Sequence, residues 1–234
     1  MILAVIQAAR RSTAAQDSAT LLELLVNACS RGAEVVVLPN PPWLSANEIT
    51  EVATAAFLRV EYPHVTVLAG SFGPPEPDSG PPLERGVHVS ESVLGRTAAL
   101  SADECLDPLI ARELAAAAPN AIILRPGNES DLQAEAMLER ALGLSESVSG
   151  LVLVAECDGG PDGKPGHGGS AIVVLGEVVA EAVGGDDVLM AEVNAPVARP
   201  DARIPVPDLP PILAQRWAFH HGERASVDYP ADLT

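Results

Sequence analysis

The run Gly32-Ala33-Glu34-Val35-Val36-Val37-Leu38-Pro39-Asn40 constrains this chain more than any other. Four consecutive apolar residues, three of them β-branched, predict a strand buried on both faces. Pro39 has no amide proton to give a ladder, so the strand stops there and Asn40 falls at its carboxyl end. In layered α/β proteins chemistry collects at the carboxyl ends of strands. Asn40 therefore marks the place to look for a catalytic group, and an amide cannot act as a base.

The residues before and after alternate between strand and helix signals. Ile2 to Ala8 reads as a first strand. Thr13 and Gln16 have capping-box spacing, with Leu21, Leu22, Leu25, Ala28 and Cys29 on one face of the helix that follows. Gly32 ends that helix. Ser45 and Glu48 cap a second helix, whose buried stripe is Ile49, Val52, Ala53, Ala56 and Phe57. Val65 to Ala69 is a further strand. The proline-rich run Gly73 to Pro82 is a surface loop, too short to divide domains. Gly86 to Val89 and Gly95 to Ala102 read as two strands. Asp107-Pro108 opens the helix Leu109 to Ala118 as cap and first-turn proline. Strand Ala121 to Leu124 comes next, then a helix capped by Ser130 through Met137, Leu138, Ala141 and Leu142. Leu151–Ala155, Ala171–Leu175, Val178–Ala182 and Val188–Val193 complete the strands, interrupted by the glycine-rich loop Asp158 to Gly169. After Asn194 periodicity fades. The order predicts two stacked sheets with helices outside. A domain over residues 1–206 followed by an extended arm, 207–234, is the expected organisation.

With 234 residues, 47% of them hydrophobic, the chain can bury roughly 70–75% of its unfolded surface. Acids outnumber bases 32 to 14, for a formal charge of −18. Such a surface repels phosphate backbones and anionic lipid, which argues against nucleic acid and membrane as partners. Three cysteines, Cys29, Cys105 and Cys157, argue against a disulfide framework and for a reducing compartment. The apolar start Met1 to Ile6 precedes Arg10-Arg11, the reverse of a secretory signal. The expected location is the cytosol. His167, His220 and His221 lack companions at metal-ligand spacing, so no metal and no cofactor are expected.

Read as an ordered set, several segments resemble the nitrilase (carbon–nitrogen hydrolase) superfamily. They are Ala4-Val5-Ile6-Gln7, Arg31 to Pro39, Ala69-Gly70, Pro119 to Pro126, Gly168 to Val173, Gly176 to Ala182, and Arg203-Ile204-Pro205. The resemblance implies a four-layer α-β-β-α sandwich. It also implies a chemistry that needs a cysteine nucleophile, a glutamate base and a lysine to hold developing charge. Asn40 stands at the glutamate's place. Gly86, in Arg85-Gly86-Val87-His88-Val89, stands at the lysine's, and the chain's one lysine, Lys164, falls elsewhere. Two alignments of the nucleophile stay open. One places Ala102 there. The other shortens the following helix and places Cys105 there, with Asp103, Glu104 and Asp107 around it to disfavour a thiolate.

These positions predict a degenerate member without its triad, acting as a small-molecule binding or subunit-interaction protein. Asn40, Ala102, Cys105 and Arg125 are its candidate ligand-binding residues, for a small polar ligand that is neutral or cationic. The alternative is a divergent amidase-type hydrolase using Cys105 with a base such as Glu34 or Glu48. A homodimer, or a partner subunit of an active paralogue, is the expected assembly; Trp217 and Phe219 of the arm could pack on a partner. On this reading the centre of the sandwich holds no base and no cation.

Overall fold

The computed structural model describes residues 1–41, 44–59, 65–69, 87, 89–101, 103–127, 130–148, 150–159 and 167–194. The boundary expected near residue 206, the arm and the loop Gly73 to Pro82 lie outside them.

Among the described residues there are eleven strands and five helices. They run β1 (Ile2–Ala9), α1 (Ala14–Ser30), β2 (Val35–Val37), α2 (Ala46–Arg59), β3 (Thr66–Leu68), β4 (Val89–Ser92) and β5 (Gly95–Ser101). Then come α3 (Asp103–Leu106), α4 (Pro108–Ala117), β6 (Ala121–Arg125), α5 (Asp131–Val148) and β7 (Leu151–Val154). Last are β8 (Cys157–Asp158), β9 (Ala171–Val174), β10 (Glu177–Glu181) and β11 (Asp187–Glu192). One sheet has the order β11-β1-β2-β3, with β8 beside β1, and the other β10-β9-β7-β6-β5-β4. β1, β2 and β3 run parallel, as do β5, β6 and β7, while β11, β10 and β4 add antiparallel edges.

Side-chain parity along the strands builds the layers. Leu3 and Val5 of β1, Val35 and Val37 of β2, and Ala121 and Ile123 of β6 share one apolar cluster between the two sheets. Their alternates Ala4, Ile6, Val36 and Leu38 pack instead with Leu21, Leu25 and Ile49 of α1 and α2. Ile122 and Leu124 pack with Leu114, Met137 and Ala141 of α4 and α5. Three apolar layers between four layers of secondary structure make an α-β-β-α sandwich, as the sequence predicts.

The caps form where the sequence places them. Gln16 N donates to Thr13 Oγ1 at 3.3 Å. At α2 the box is reciprocal: Ser45 N donates to Glu48 Oε2 at 2.7 Å, and Glu48 N to Ser45 Oγ at 3.3 Å. Gly32, at φ +90°, takes the chain out of α1.

Three details go beyond the expectation. β4, Val89–Ser92, forms a hairpin with β5 around a turn that Gly95 (φ +79°) closes; of the strand expected at Gly86–Val89, Gly86 and His88 lie outside the described residues. The polar Ser90-Glu91-Ser92 of β4 suits a sheet edge, where alternation is not imposed by burial on both faces. The helical turn α3 and the two-residue strand β8 were not expected; both are shorter than any periodicity can reveal. Among the described residues no helix is long and apolar enough to cross a membrane.

Candidate functional site at the carboxyl edge of the sandwich

β6 continues one residue beyond the expected Leu124, and that residue is Arg125. Parity with Ala121 and Ile123 directs its side chain between the sheets. It is 6% exposed. Its Nε donates to the Leu38 carbonyl at 3.1 Å and one terminal nitrogen to the Leu68 carbonyl at 3.3 Å. One guanidinium thus ties the end of β6 in the second sheet to the ends of β2 and β3 in the first. Burial pulls its pKa down to about 10, partly offset by the neighbouring Cys105. The sequence reading placed no cation at the centre of the sandwich. Arg125 corrects it, and the signal was the parity of Ala121-Ile123-Arg125.

Asn40 lies two residues past Leu38, at the carboxyl end of β2, and is exposed. Gly86 and Ala102 lie outside the described residues.

Cys105, in α3, is fully buried. It does not share the inter-sheet layer with Arg125's side chain: it packs with Ala98, Leu100, Ile110 and Leu114 beneath the helices. Burial is the main reason its thiol is pushed up to about 12, and the Glu104 and Glu156 carboxylates add to it. A hydrogen bond with the Arg125 backbone and the guanidinium's charge act the other way. The expectation that acidic neighbours disfavour a thiolate is met by Glu104. Desolvation is nevertheless the larger cause.

Glu156 is the residue that sequence reasoning missed. It is 5% exposed; Gly127 N donates to its Oε2 and Cys157 N to its Oε1, each at 2.8 Å. Its own amide donates to Ser170 Oγ at 2.9 Å. Ser170 N in turn donates to Gln7 Oε1 at 2.9 Å, and Gln7 Nε2 donates to the Gly185 carbonyl at 3.1 Å. A buried polar chain therefore runs from β1 through Ser170, just before β9, to the segments after β6 and β7. Gln7 was readable in principle, being a polar residue at an inward position of an apolar strand. Glu156 was not, because nothing local separates it from a surface acid.

The two bases considered for Cys105 are occupied elsewhere. Glu34 accepts from the Ile2 amide at 2.9 Å and is exposed. Glu48 serves its helix cap. Cys157 is buried beside Ala8, where β8 pairs with β1, and burial raises its thiol well above the ordinary value. Among the described residues no group of His, Cys, Asp and Glu is arranged to hold a metal ion.

Neither a protein-family model nor a curated protein matches the sequence. Solved structures do match. An amidase from Nesterenkonia sp. AN1, in a mutant form with the acetamide moiety of fluoroacetamide added covalently at its active site cysteine, superposes with a TM-score of 0.63. The match covers 93% of this chain and 96% of that one, at 16% identity. This chain has a nitrilase-like fold. A second mutant of the same amidase, described as from the nitrilase superfamily, gives 0.62 over 93% and 97% of the two chains at 16% identity. The enzyme after removal of its tag gives 0.58 over 93% and 99% at 20%. At such identity the likeness is one of fold. The nitrilase-like sandwich accounts for the layer order, and it places the carboxyl edge holding Asn40 and Arg125 where strand ends converge.

Proposed function

We propose that this nitrilase-fold protein does not hydrolyse amides or nitriles and acts instead as a binding or subunit-interaction protein. The observation that supports this best is the bridge from Arg125 to Leu38 and Leu68. The one described cation between the sheets spends donors on strand-end carbonyls, and the residue beyond Leu38 and Pro39 is an amide. Removing a general base commonly costs on the order of 10²–10⁴ in rate, and residues that act as a unit lose nearly everything together. The soluble assay is nitrogen release from small amides by the purified full chain. No ammonia above the buffer blank is expected; steady release abolished by Cys105→Ala would refute the proposal.

A second reading has one observation in its favour. Cys105 feels both a guanidinium and a carboxylate, those of Arg125 and Glu156. A divergent amidase-type hydrolase would use that thiol after exposing it. This reading requires Cys105 to alkylate faster in the folded protein than in a denatured control. The expected assembly, a homodimer or a subunit alongside an active paralogue, belongs to the same proposal. Sedimentation at several concentrations distinguishes a dimer from a monomer.

A further inference from the structure

We infer that β10, the outer edge of the second sheet, accepts a short extended segment of a cationic partner protein as a further strand. This gives the subunit-interaction role proposed above a surface and a partner chemistry, and rests on that reading.

Among the described residues six large hydrophobic side chains are exposed, and four of them, Leu175, Val178, Val179 and Val183, lie in or beside β10. The other two, Val93 and Leu132, stand singly in the β4–β5 turn and at the start of α5. Single exposed apolar residues are ordinary, whereas a contiguous set marks a surface that something covers. β10 is the last strand of its sheet, and among the described residues it pairs only with β9. Its outer row of backbone donors and acceptors is a template for another strand. Leu175 supplies an independent sign. It holds φ +51° while 68% exposed, a conformation that costs leucine about 1–2 kcal/mol and buries nothing in return. A strained apolar residue kept on the surface points to a use outside the fold.

Charge selects the occupant. Glu177 stands opposite Val174, which packs toward the inter-sheet layer, and Val178 opposite Val173, which packs toward the helices. The register shift at Val179 resets the parity, so Ala180 belongs to the inter-sheet layer and Glu181, opposite Ala171, to the helix side. One exposed glutamate therefore stands on each face of the edge. A second copy laid antiparallel across it, centred on Val179, would set Glu177 of one chain against Glu181 of the other. Like charges directly opposite are destabilising, and each copy carries a formal charge of −18. Bulges and charged side chains on an edge are devices against such self-pairing. A strand bearing lysine or arginine on both faces meets the two glutamates instead, and its apolar residues cover the exposed valines. The four paired positions Glu177, Val178, Ala180 and Glu181 set the length of the segment.

Amide NMR of the isotope-labelled full chain, titrated with the blocked peptide Ser-Lys-Val-Val-Lys-Ser, tests this. One control peptide carries glutamate for both lysines, and another carries proline for one valine, which removes an amide donor. Saturable shifts are expected at the amides of Glu177 to Ala182, with the lysine peptide binding about tenfold more tightly than either control. Glu177→Lys combined with Glu181→Lys, folding checked by circular dichroism, is expected to reverse the preference between lysine and glutamate peptides. The lysine peptide binding no tighter than the glutamate peptide to the unaltered protein overturns the inference, whether or not the variant folds. So do shifts confined to other strands, or an unreversed preference in the folded variant. Shifts of the β10 amides with protein concentration alone would assign the edge to a second copy. Strong protection of its outward amides from hydrogen exchange in the free chain would assign it to the chain's own residues; either result also overturns the inference. Ammonia release from acetamide would refute the lack of hydrolysis and leave the peptide comparison standing, so the two failures are distinguishable.

Discussion

Arg125 at the end of β6 and Leu38 at the end of β2 are joined across the two sheets, Nε to carbonyl oxygen, at 3.1 Å. Sheets in a sandwich are usually held by apolar contact alone, which has little directionality. Here a charged side chain adds a directional tie where the strand ends converge. It commits two of the guanidinium's five donors to the scaffold.

Arg125→Ala is expected to destabilise the protein by about 3 kcal/mol, since two buried carbonyls lose their donors and a cavity opens. Arg125→Met keeps most of the volume and sheds the cost of burying charge, so its loss should be smaller. Urea unfolding of the three proteins checks the order.

The Cys105 thiol, pushed up to about 12, should be close to inert near neutral pH, with about one part in 10⁴ as thiolate at pH 8. Iodoacetamide labelling followed by mass spectrometry should find Cys105 slower than in a denatured control. The same shift gives a pH dependence. The folded thiol keeps its proton while the unfolded one loses it near 9, so stability falls as pH rises above about 9, by at most about 1.4 kcal/mol per unit for one proton. Burial of Arg125 acts in the opposite sense above about 10, so the clean window is pH 9 to 10. Cys29 and Cys157 are raised too. Cys105→Ala should therefore reduce the slope without abolishing it.

At the start of α2, Ser45→Ala should cost about 1 kcal/mol by removing the cap. The hydrogen bonds from Ser45 hold the Glu48 carboxyl below the usual 4.5. A depressed carboxylate stabilises above its unfolded pKa, and that contribution is lost as pH falls through the lower, folded value. The Ser45 amide proton resonance should accordingly titrate with a midpoint under 4.5, and Glu48→Gln should remove the titration.

Leu175 occupies the left-handed region at φ +51° in the β9–β10 turn and is exposed. A left-handed leucine costs about 1–2 kcal/mol, and asparagine tolerates that conformation better. Leu175→Asn should raise stability by roughly 1 kcal/mol, read from the denaturation midpoint at an unchanged slope.

Most of the fold was legible because burial on two faces leaves a strong mark. Val35-Val36-Val37 and Leu151 to Val154 have few other interpretations, and the Ser45–Glu48 cap marks a helix start locally. What was not legible depends on contacts distant in sequence. Cys105 reads equally as a nucleophile next to a strand or as a core residue; only its packing against Leu100 and Leu114 decides. Glu156 is buried because Gly127, Cys157 and Ser170 meet it, and none of them announces this in the sequence. Arg125 lay between these cases, marked by parity yet partnered by carbonyls 57 and 87 residues away.

The central claim is that this sandwich holds ligands without breaking carbon–nitrogen bonds. The direct measurement is the rate of ammonia formation from acetamide, butyramide and acrylamide by the full chain, beside Cys105→Ala, over hours at high protein concentration. The account predicts traces for both proteins that coincide with the buffer blank. Linear ammonia formation by the unaltered chain, lost in Cys105→Ala, would contradict it.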